Sequence, residues 1–455
     1  MKYFGIVFVF VSSYLNLNFE YCTDCCEFKL TQGLYSSSYS GENIPTNWYV
    51  EKIWLDDAHN IETGLYNVKV GVIDSGIFLT NNNISNNVAT SGHVDFTNTN
   101  VMNFLNIDNY DSSSVNFSNI PINNSVNTSN AHGTNVAGLI GGYGSLNGNS
   151  VVGMCENVTI YSLKIQNQYS IEDNMLNKLA AAIDYAEYLG IDILNISLGY
   201  TGPANSPQIN NAIDNFSGLI VCASGNSYLD IDASLNGQVI YPIQSNADNI
   251  IGVAASNYYE NIWVDTTFTP HTGSNYGGVS VDLFAPGADI NVIATDMLQT
   301  SYVGYGTSFA SPLVAGTAAL IKSKYPHLNA NQLKRIILDT VDISGNNFRG
   351  KCVSNGRLNT YNALNFDSIC LRFVQNYTYL NGNYHFAKCY CGKSIKQVHV
   401  VKSGSNICAL CNGTANMGGI GFTSLTYEEY LNLNNDVFNS TIILNEYEFD
   451  KFLTN

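Results

Sequence analysis

The chain has 455 residues, 45% of them hydrophobic and 12% charged, enough apolar material for one large core and a smaller unit, and too much for a disordered chain. Against 36 Asp and Glu stand only 19 Lys and Arg, a formal net charge of −17 with no basic patch to offset it. That balance excludes nucleic acid and anionic membrane surfaces as partners of the whole chain.

The first residues, "MKYFGIVFVFVSS", place one Lys ahead of an apolar run from Tyr3 to Val11 and then two small residues. This is the layout of a secretory leader, assigned to residues 1–18, with a short N-terminal segment, read as a remnant pro-region, at 19–45. The apolar run is too short to span a bilayer, and no later stretch reaches about eighteen apolar residues, so no membrane span is expected. Export agrees with recurring Asn-x-Ser/Thr sequons, among them Asn83, Asn116, Asn157 and Asn376, which predict glycosylation. It agrees also with eleven cysteines, all beyond the leader, which predict disulfides and leave one thiol unpaired or shared between chains.

From about Tyr66 to Leu338 short β-branched runs alternate with helical ones. "NVKVGVID", "VTIYSLKI", "IDILNISL", "GLIVCAS" and "NIIGVAAS" read as buried strands, while "NMLNKLAAAIDYAEYLG" and "PQINNAIDNF" carry helical periodicity. The fold class is therefore α/β: a mostly parallel sheet with helices on both faces, occupying residues 46–366. The stretch Asn81 to Asn130, rich in Asn, Ser and Thr, reads as a long surface loop. Residues 367–455, where Cys370, Cys389, Cys391, Cys408 and Cys411 cluster, read as a small Cys-containing C-terminal module. "CYC" and "CALC" there are compatible with zinc, but in an exported chain disulfides are the better account.

In such sheets function gathers at the carboxyl ends of the strands. Asp74 ends "KVGVID"; His132 opens a small-residue helix in "AHGTNVAGLIGG"; Asn226 follows the strand "GLIVCAS"; Ser308 opens the apolar helix of "GTSFASPLVAGTAAL". Singly, each has a plainer explanation as turn former, packed histidine, polar turn or N-cap. Together, in this order and flanked by glycines, they make a coherent set.

The segments "VGVIDSG", "HGTNVAGLIGG", "ILNISLG", "ASGN", "LFAPG" and "GTSFASPLVAGTAAL" resemble the successive signature segments of the subtilisin-like serine proteases, from roughly Trp48 to Leu364. The resemblance implies a subtilisin-like fold and a secreted endopeptidase acting on protein or peptide substrates. Ser308 would be the nucleophile, His132 its general base, Asp74 the partner fixing the imidazole, and Asn226 with the Ser308 N–H the oxyanion hole. It further implies that Ser197, Leu198, Gly199 and Ala223, Ser224, Gly225 line the cleft and pair with substrate backbone, with Ile240 narrowing the first side-chain pocket. No cofactor is implied; calcium is expected only as a structural ion, with Asn147 and Asn149, or Asp230 and Asp232, as candidate ligands. Three positions depart from the family pattern: Phe309 where Met is usual, Asn135 where a second His is common, and about thirty residues where a folded pro-domain is common. The alternative is an exported adhesive or surface glycoprotein retaining the fold without turnover, which predicts decay among the four site residues. An ester hydrolase or peptide ligase would share the same acyl intermediate.

Overall fold

The computed structural model describes residues 44–122, 131–144, 151–167, 174–233, 238–266, 271–293, 301–343 and 347–366, and the backbone strands 374–381, 384–389 and 394–398. The leader, the segment to residue 43, Asn147, Asn149 and most of the tail's cysteines lie outside the described residues.

Strands β1 (Lys69–Asp74), β2 (Val94–Asp95), β3 (Thr159–Lys164), β4 (Ile193–Ile196), β6 (Leu219–Ala223), β8 (Ile250–Ser256) and β11 (Leu283–Pro286) form one sheet in the order β11-β8-β6-β4-β1-β3-β2. Every pairing in it is parallel. The five strands expected from sequence are all present, each within two residues of the apolar run that announced it. Strands buried on both faces lose the alternation of half-exposed ones and read as continuous Val, Ile and Leu, which is why they were visible.

Side chains alternate across the sheet into two cores. Val70, Val72, Val221 and Val253 face helices α1 (His132–Gly141) and α4 (Thr307–Lys324). Ile73, Leu194, Ile196 and Ile220 face α2 (Met175–Leu189) and α3 (Pro207–Asn215). Helix α4 is buried almost all round, its small residues letting it lie directly on the sheet, and Gly316 is packed so closely that a Cβ would stand 2.2 Å from the Met154 side chain. A further helix, α5 (Ala330–Asp339), starts with an Asn329/Gln332 capping box, and its Lys334 binds Asp282 and the Ile250 carbonyl.

Smaller antiparallel pairs flank the sheet: β5 (Tyr200–Pro203) with β7 (Gln238–Tyr241), β9 (Val264–Asp265) with β10 (Thr272–Gly273), and β12 (Ile290–Ile293) with β13 (Ser301–Gly304). In the tail, strands β14 (Val374–Asn381), β15 (Tyr384–Cys389) and β16 (Ser394–Val398) make an antiparallel three-stranded sheet.

Two expectations are corrected. The stretch from Asn81 is no loop through residue 122: it holds β2, a helix at Thr99–Leu105 and three 3-10 turns, and buries Ile84, Val94, Phe96, Val101, Leu105 and Ile120. Its Asn and Asp residues act as caps, Asn98 accepting from the Asn100 N–H, Asp111 from Ser113 and Asn116 from Ser118. The cysteines with described side chains, Cys155, Cys222 and Cys352, are buried free thiols, so no disulfide braces this part of the chain. Burial pushes all three thiols above their ordinary value, as expected of small core hydrophobes.

Candidate active site

Three neighbouring strands, β6, β4 and β1, end at the same edge of the sheet, where β1 ends in Asp74 and the continuations of β4 and β6 carry Ser197 and Asn226. Parallel pairing brings these ends together because all the strands run the same way.

Asp74 is the last residue of β1 and 1% exposed. Its Oδ1 accepts from the Ser75 N–H at 2.7 Å, and the carboxylate faces His132 Nδ1 at 2.8 and 3.0 Å. The carboxylate only accepts, so the proton of this bond belongs to Nδ1, leaving Nε2 with a lone pair when the ring is neutral. The approach of α1 to β1 requires Gly133: a Cβ there would stand 2.3 Å from the Gly76 carbonyl oxygen and 3.2 Å from the Asp74 Cβ. Burial of the imidazole works to lower its pKa, but the charge and hydrogen bond of Asp74 outweigh that, and the ring ends above the ordinary histidine value.

Ser308 is the second residue of α4 and partly exposed. Its hydroxyl donates to the Ser197 carbonyl at 3.2 Å, while the Ser197 hydroxyl donates to the Ser308 carbonyl at 2.9 Å. Pro312, one helical turn on, has no N–H to offer that carbonyl, and the Ser197 hydroxyl satisfies it instead. Ser197 is itself held by the Asn195 amide at 2.9 Å, whose oxygen accepts from the Ser311 hydroxyl at 2.8 Å. Phe309, next in chain to Ser308, lies with its ring 5.9 Å from the His132 ring, so the first turn of α4 abuts the imidazole. A Cβ on Gly304 would stand 2.6 Å from that phenyl ring.

Asn226 lies beyond the end of β6, and its amide oxygen accepts from both the N–H and the hydroxyl of Thr307, each at 2.9 Å. The Thr307 oxygen in turn accepts from the Gly225 N–H at 3.0 Å. This arrangement fixes which end of the amide is free: Nδ2 makes no hydrogen bond to protein among the described residues and lies over Gly306, where a Cβ would stand 3.0 Å from it. Gly306 has φ +131°, a conformation suited to glycine alone. Nδ2 and the Ser308 N–H thus lie together at the N-terminal end of α4, the positive end of a helix dipole, while the Thr307 and Phe309 N–H groups are already bonded to Asn226 Oδ1 and the Gly306 carbonyl.

The remaining sequence-derived positions fall around this centre. Leu198 and Gly199 follow β4, with Gly199 partly filled from behind: its Cβ would meet the Ile240 side chain at 3.2 Å. Ala223 ends β6 and Ser224 and Gly225 follow it, but the Ser224 hydroxyl is turned away, bonded to the Asn275 carbonyl at 3.0 Å. Asn135 lies one turn along α1 from His132 and bonds the Tyr302 hydroxyl. Asp230 and Asp232 act as loop anchors: Asp230 accepts from the Asp232 N–H, and Asp232 accepts from the Val279 and Ser280 N–H groups at 2.8 and 2.9 Å. Among the described residues no group of three or more His, Cys, Asp or Glu is arranged to hold a metal ion, and both carboxylate oxygens of Asp232 accept from backbone N–H groups. Thr307, Asn195, Ser311 and Asn275 were not singled out by the sequence. Asn195 carried the clearest signal, a carboxamide inside the apolar run "IDILNISL" that must find buried partners.

Comparison with known proteins agrees with this geometry. The sequence model described as "Subtilase family" matches residues 66–366, well over half of the chain. Subtilisin DY of Bacillus licheniformis is 30% identical over 285 residues, covering 62% of this chain and 86% of that protein. The thermophilic serine proteinase of Bacillus sp. (strain AK1) is 28% identical over 326 residues, covering 71% of this chain and 66% of its own length. Among solved structures, the nisin leader peptidase NisP of Lactococcus lactis matches with a TM-score of 0.52 at 21% identity, covering 70% of this chain and 93% of that one. A lanthipeptide protease matches with a TM-score of 0.53 at 21% identity, covering 70% and 94%. These two likenesses speak to the fold.

Proposed function

The chain belongs to the subtilase family of serine proteases, and on that premise we propose that it hydrolyses peptide bonds within exported or extracellular proteins through an acyl-enzyme on Ser308. The observation that carries the reading is the buried Asp74 carboxylate on His132 Nδ1, at 2.8 and 3.0 Å, beside the first turn of the helix that Ser308 opens.

A serine hydroxyl is almost un-ionised at neutral pH and attacks a carbonyl only as a base removes its proton. The Ser308 hydroxyl proton, hydrogen-bonded to the Ser197 carbonyl in the resting site, passes to His132 Nε2 as the bond from Ser308 Oγ to the substrate carbon forms. Asp74 holds the ring in the tautomer that presents this lone pair and stabilises the imidazolium that results. The substrate oxygen, now an anion, takes hydrogen bonds from Asn226 Nδ2 and the Ser308 N–H. Collapse of the tetrahedral adduct expels the amine, which leaves with the proton from Nε2. Water, deprotonated by the same nitrogen, then attacks the ester, and the acid departs as the proton returns to Ser308. The substrate backbone is assigned to the edges at Ser197 to Gly199 and Ala223 to Gly225, with Ile240 restricting the pocket behind Gly199.

Export rests on the leader and the sequons, and no helix of the described residues is long and apolar enough to cross a membrane. Because the described cysteines are buried thiols, folding of the protease core requires no oxidation of Cys155, Cys222 or Cys352.

Labelling with a fluorophosphonate tests the reading. The folded native chain reacts, and Ser308→Ala and His132→Ala do not. Equal labelling of Ser308→Ala, or no labelling of native chain that is folded by circular dichroism, would overturn it. Retention of all four functional residues also weighs against the adhesive alternative.

A further inference from the structure

The segment from Ser224 to Leu229 leaves β6 and carries Asn226, yet it belongs to no helix or strand, so its backbone polar groups need partners from elsewhere. Apart from the Ser224 N–H, taken by the Val253 carbonyl, and the Gly225 N–H, taken by Thr307, they find them on one short stretch, Gly273 to Tyr276, and above all on Asn275, a buried residue 5% exposed. Asn275 Nδ2 donates to the Ser224 carbonyl at 2.8 Å. Its Oδ1 accepts from the Ser227 and Leu229 N–H groups, both at 3.0 Å. One carboxamide therefore grips the chain on both sides of Asn226. The backbones complete the clamp: the Asn275 N–H donates to the Gly225 carbonyl at 2.8 Å, and the Gly273 N–H donates to the Asn226 carbonyl at 3.1 Å. Fit is tight, since Gly225 has φ +96° and a Cβ there would stand 2.6 Å from Asn275 Nδ2.

We propose that Asn275 is a positioning residue for catalysis: by bracketing Asn226 it fixes where the oxyanion-binding Nδ2 points. This rests on the assignment of Asn226 as oxyanion donor. The Asn226 side chain is exposed and, among the described residues, tied to protein through its Oδ1 alone, so the direction of its N–H groups depends on where its Cα is held. Oxyanion donors act by preorganisation, and a displacement well under an ångström weakens them before the loop unfolds. The requirement is for a carboxamide. Aspartate at 275 would keep both acceptances but could not donate to Ser224, and alanine would take the partner from three backbone groups, the Ser224 carbonyl and the Ser227 and Leu229 N–H groups.

The test is a double-mutant cycle in the full chain on an internally quenched peptide, with folding followed by circular dichroism and thermal midpoint. Asn275→Ala is expected to lower kcat by about tenfold or more while KM stays within about twofold, and to add less than about threefold to the loss already caused by Asn226→Ala. A purely structural role predicts the same factor in both backgrounds, and that outcome overturns the proposal, as does a loss confined to KM. Should Asn275→Ala fail to fold, the same cycle is run with Asn275→Asp, which replaces the donation to Ser224 by a carboxylate oxygen facing that carbonyl. If Asn226→Ala itself retains native kcat, the oxyanion assignment falls and this inference with it. If Asn226→Ala loses kcat but the pair is additive, only the positioning role of Asn275 falls.

Discussion

The two halves of the site are built from different materials. On one side Asp74 and His132 meet as a single charged contact between the end of β1 and the start of α1, buried and held by a glycine that lets helix and strand touch. On the other, Ser308 and Asn226 are placed by neutral hydrogen bonds relayed through Ser197, Asn195, Ser311, Thr307 and Asn275. The first half works through charge, so its function follows pH and the identity of one carboxylate. The second works through geometry, so its function is distributed over many residues, each with a modest share. Substitutions should separate the halves accordingly.

The largest effect after loss of the nucleophile is expected at the charged contact. Asp74→Asn preserves shape but can donate to Nδ1, presenting the wrong tautomer, and should lower kcat on the order of 10⁴-fold, the scale known for such triads. Steady-state kinetics at pH 8 would check this, and a loss under about tenfold would mean that the carboxylate is not the orienting group. On the neutral side a single deletion should cost less. Asn226→Ala is expected to lower kcat by roughly 10²–10³-fold with little change in KM. Thr307→Val, which removes the hydroxyl bonding Asn226 Oδ1 but leaves the backbone N–H at 2.9 Å, should cost about tenfold. Equal losses for Thr307→Val and Asn226→Ala would erase the contrast between a shared and a concentrated function.

The pH profile sharpens the same comparison. His132 acts as base only when neutral, and Asp74 raises its pKa above the ordinary 6.5 despite burial of the ring. Activity should therefore be lost as pH falls through a midpoint above 6.5, and kcat/KM measured from pH 5 to 9 would locate it. In Asp74→Asn the acid limb should move to lower pH, whereas in Asn226→Ala it should stay where it is. A limb that moved equally in both would contradict the division of labour. The stability consequence has the opposite sense: the folded state binds the His132 proton more tightly than the unfolded one, so this stabilisation is full below the unfolded pKa and is lost as pH rises through the folded one.

How much of this was legible in the sequence depended on chain distance. The five strands and two flanking helices were readable because burial on two faces leaves long apolar runs. Asp74, His132, Asn226 and Ser308 drew notice because Asp74 and Asn226 stand at or beyond the ends of such runs and His132 and Ser308 at the starts of small-residue helices. The stretch after Asn81 was misread because its buried residues, such as Phe96, Val101 and Leu105, follow no single period and are outnumbered by Asn and Ser that serve as caps. The expectation of disulfides failed at Cys222 for a reason present in "GLIVCAS", where a cysteine among strand residues is packing material. Thr307, Asn275 and Ser311 stayed hidden because their partners lie 82, 51 and 116 residues away, at Gly225, Ser224 and Asn195.

The smallest expected effect concerns Pro312, where the neutral half meets the helix that carries it. A proline inside a helix removes one backbone bond and crowds the carbonyl a turn earlier, which here belongs to Ser308. That carbonyl is compensated by the Ser197 hydroxyl at 2.9 Å. Pro312→Ala would restore the helical N–H, and because a carbonyl has two lone pairs it can accept from both. Stability should then rise by about 1–2 kcal/mol, the relief of the helix break less the added freedom of the unfolded chain. The kcat should change by less than about threefold, since the bond to Ser197 persists. A more stable variant with a tenfold lower kcat would reveal that the gap left by proline is what lets Ser197 reach the nucleophile. Stability and turnover would then be opposed at this one residue, and the proline would belong to the catalytic geometry rather than to the fold.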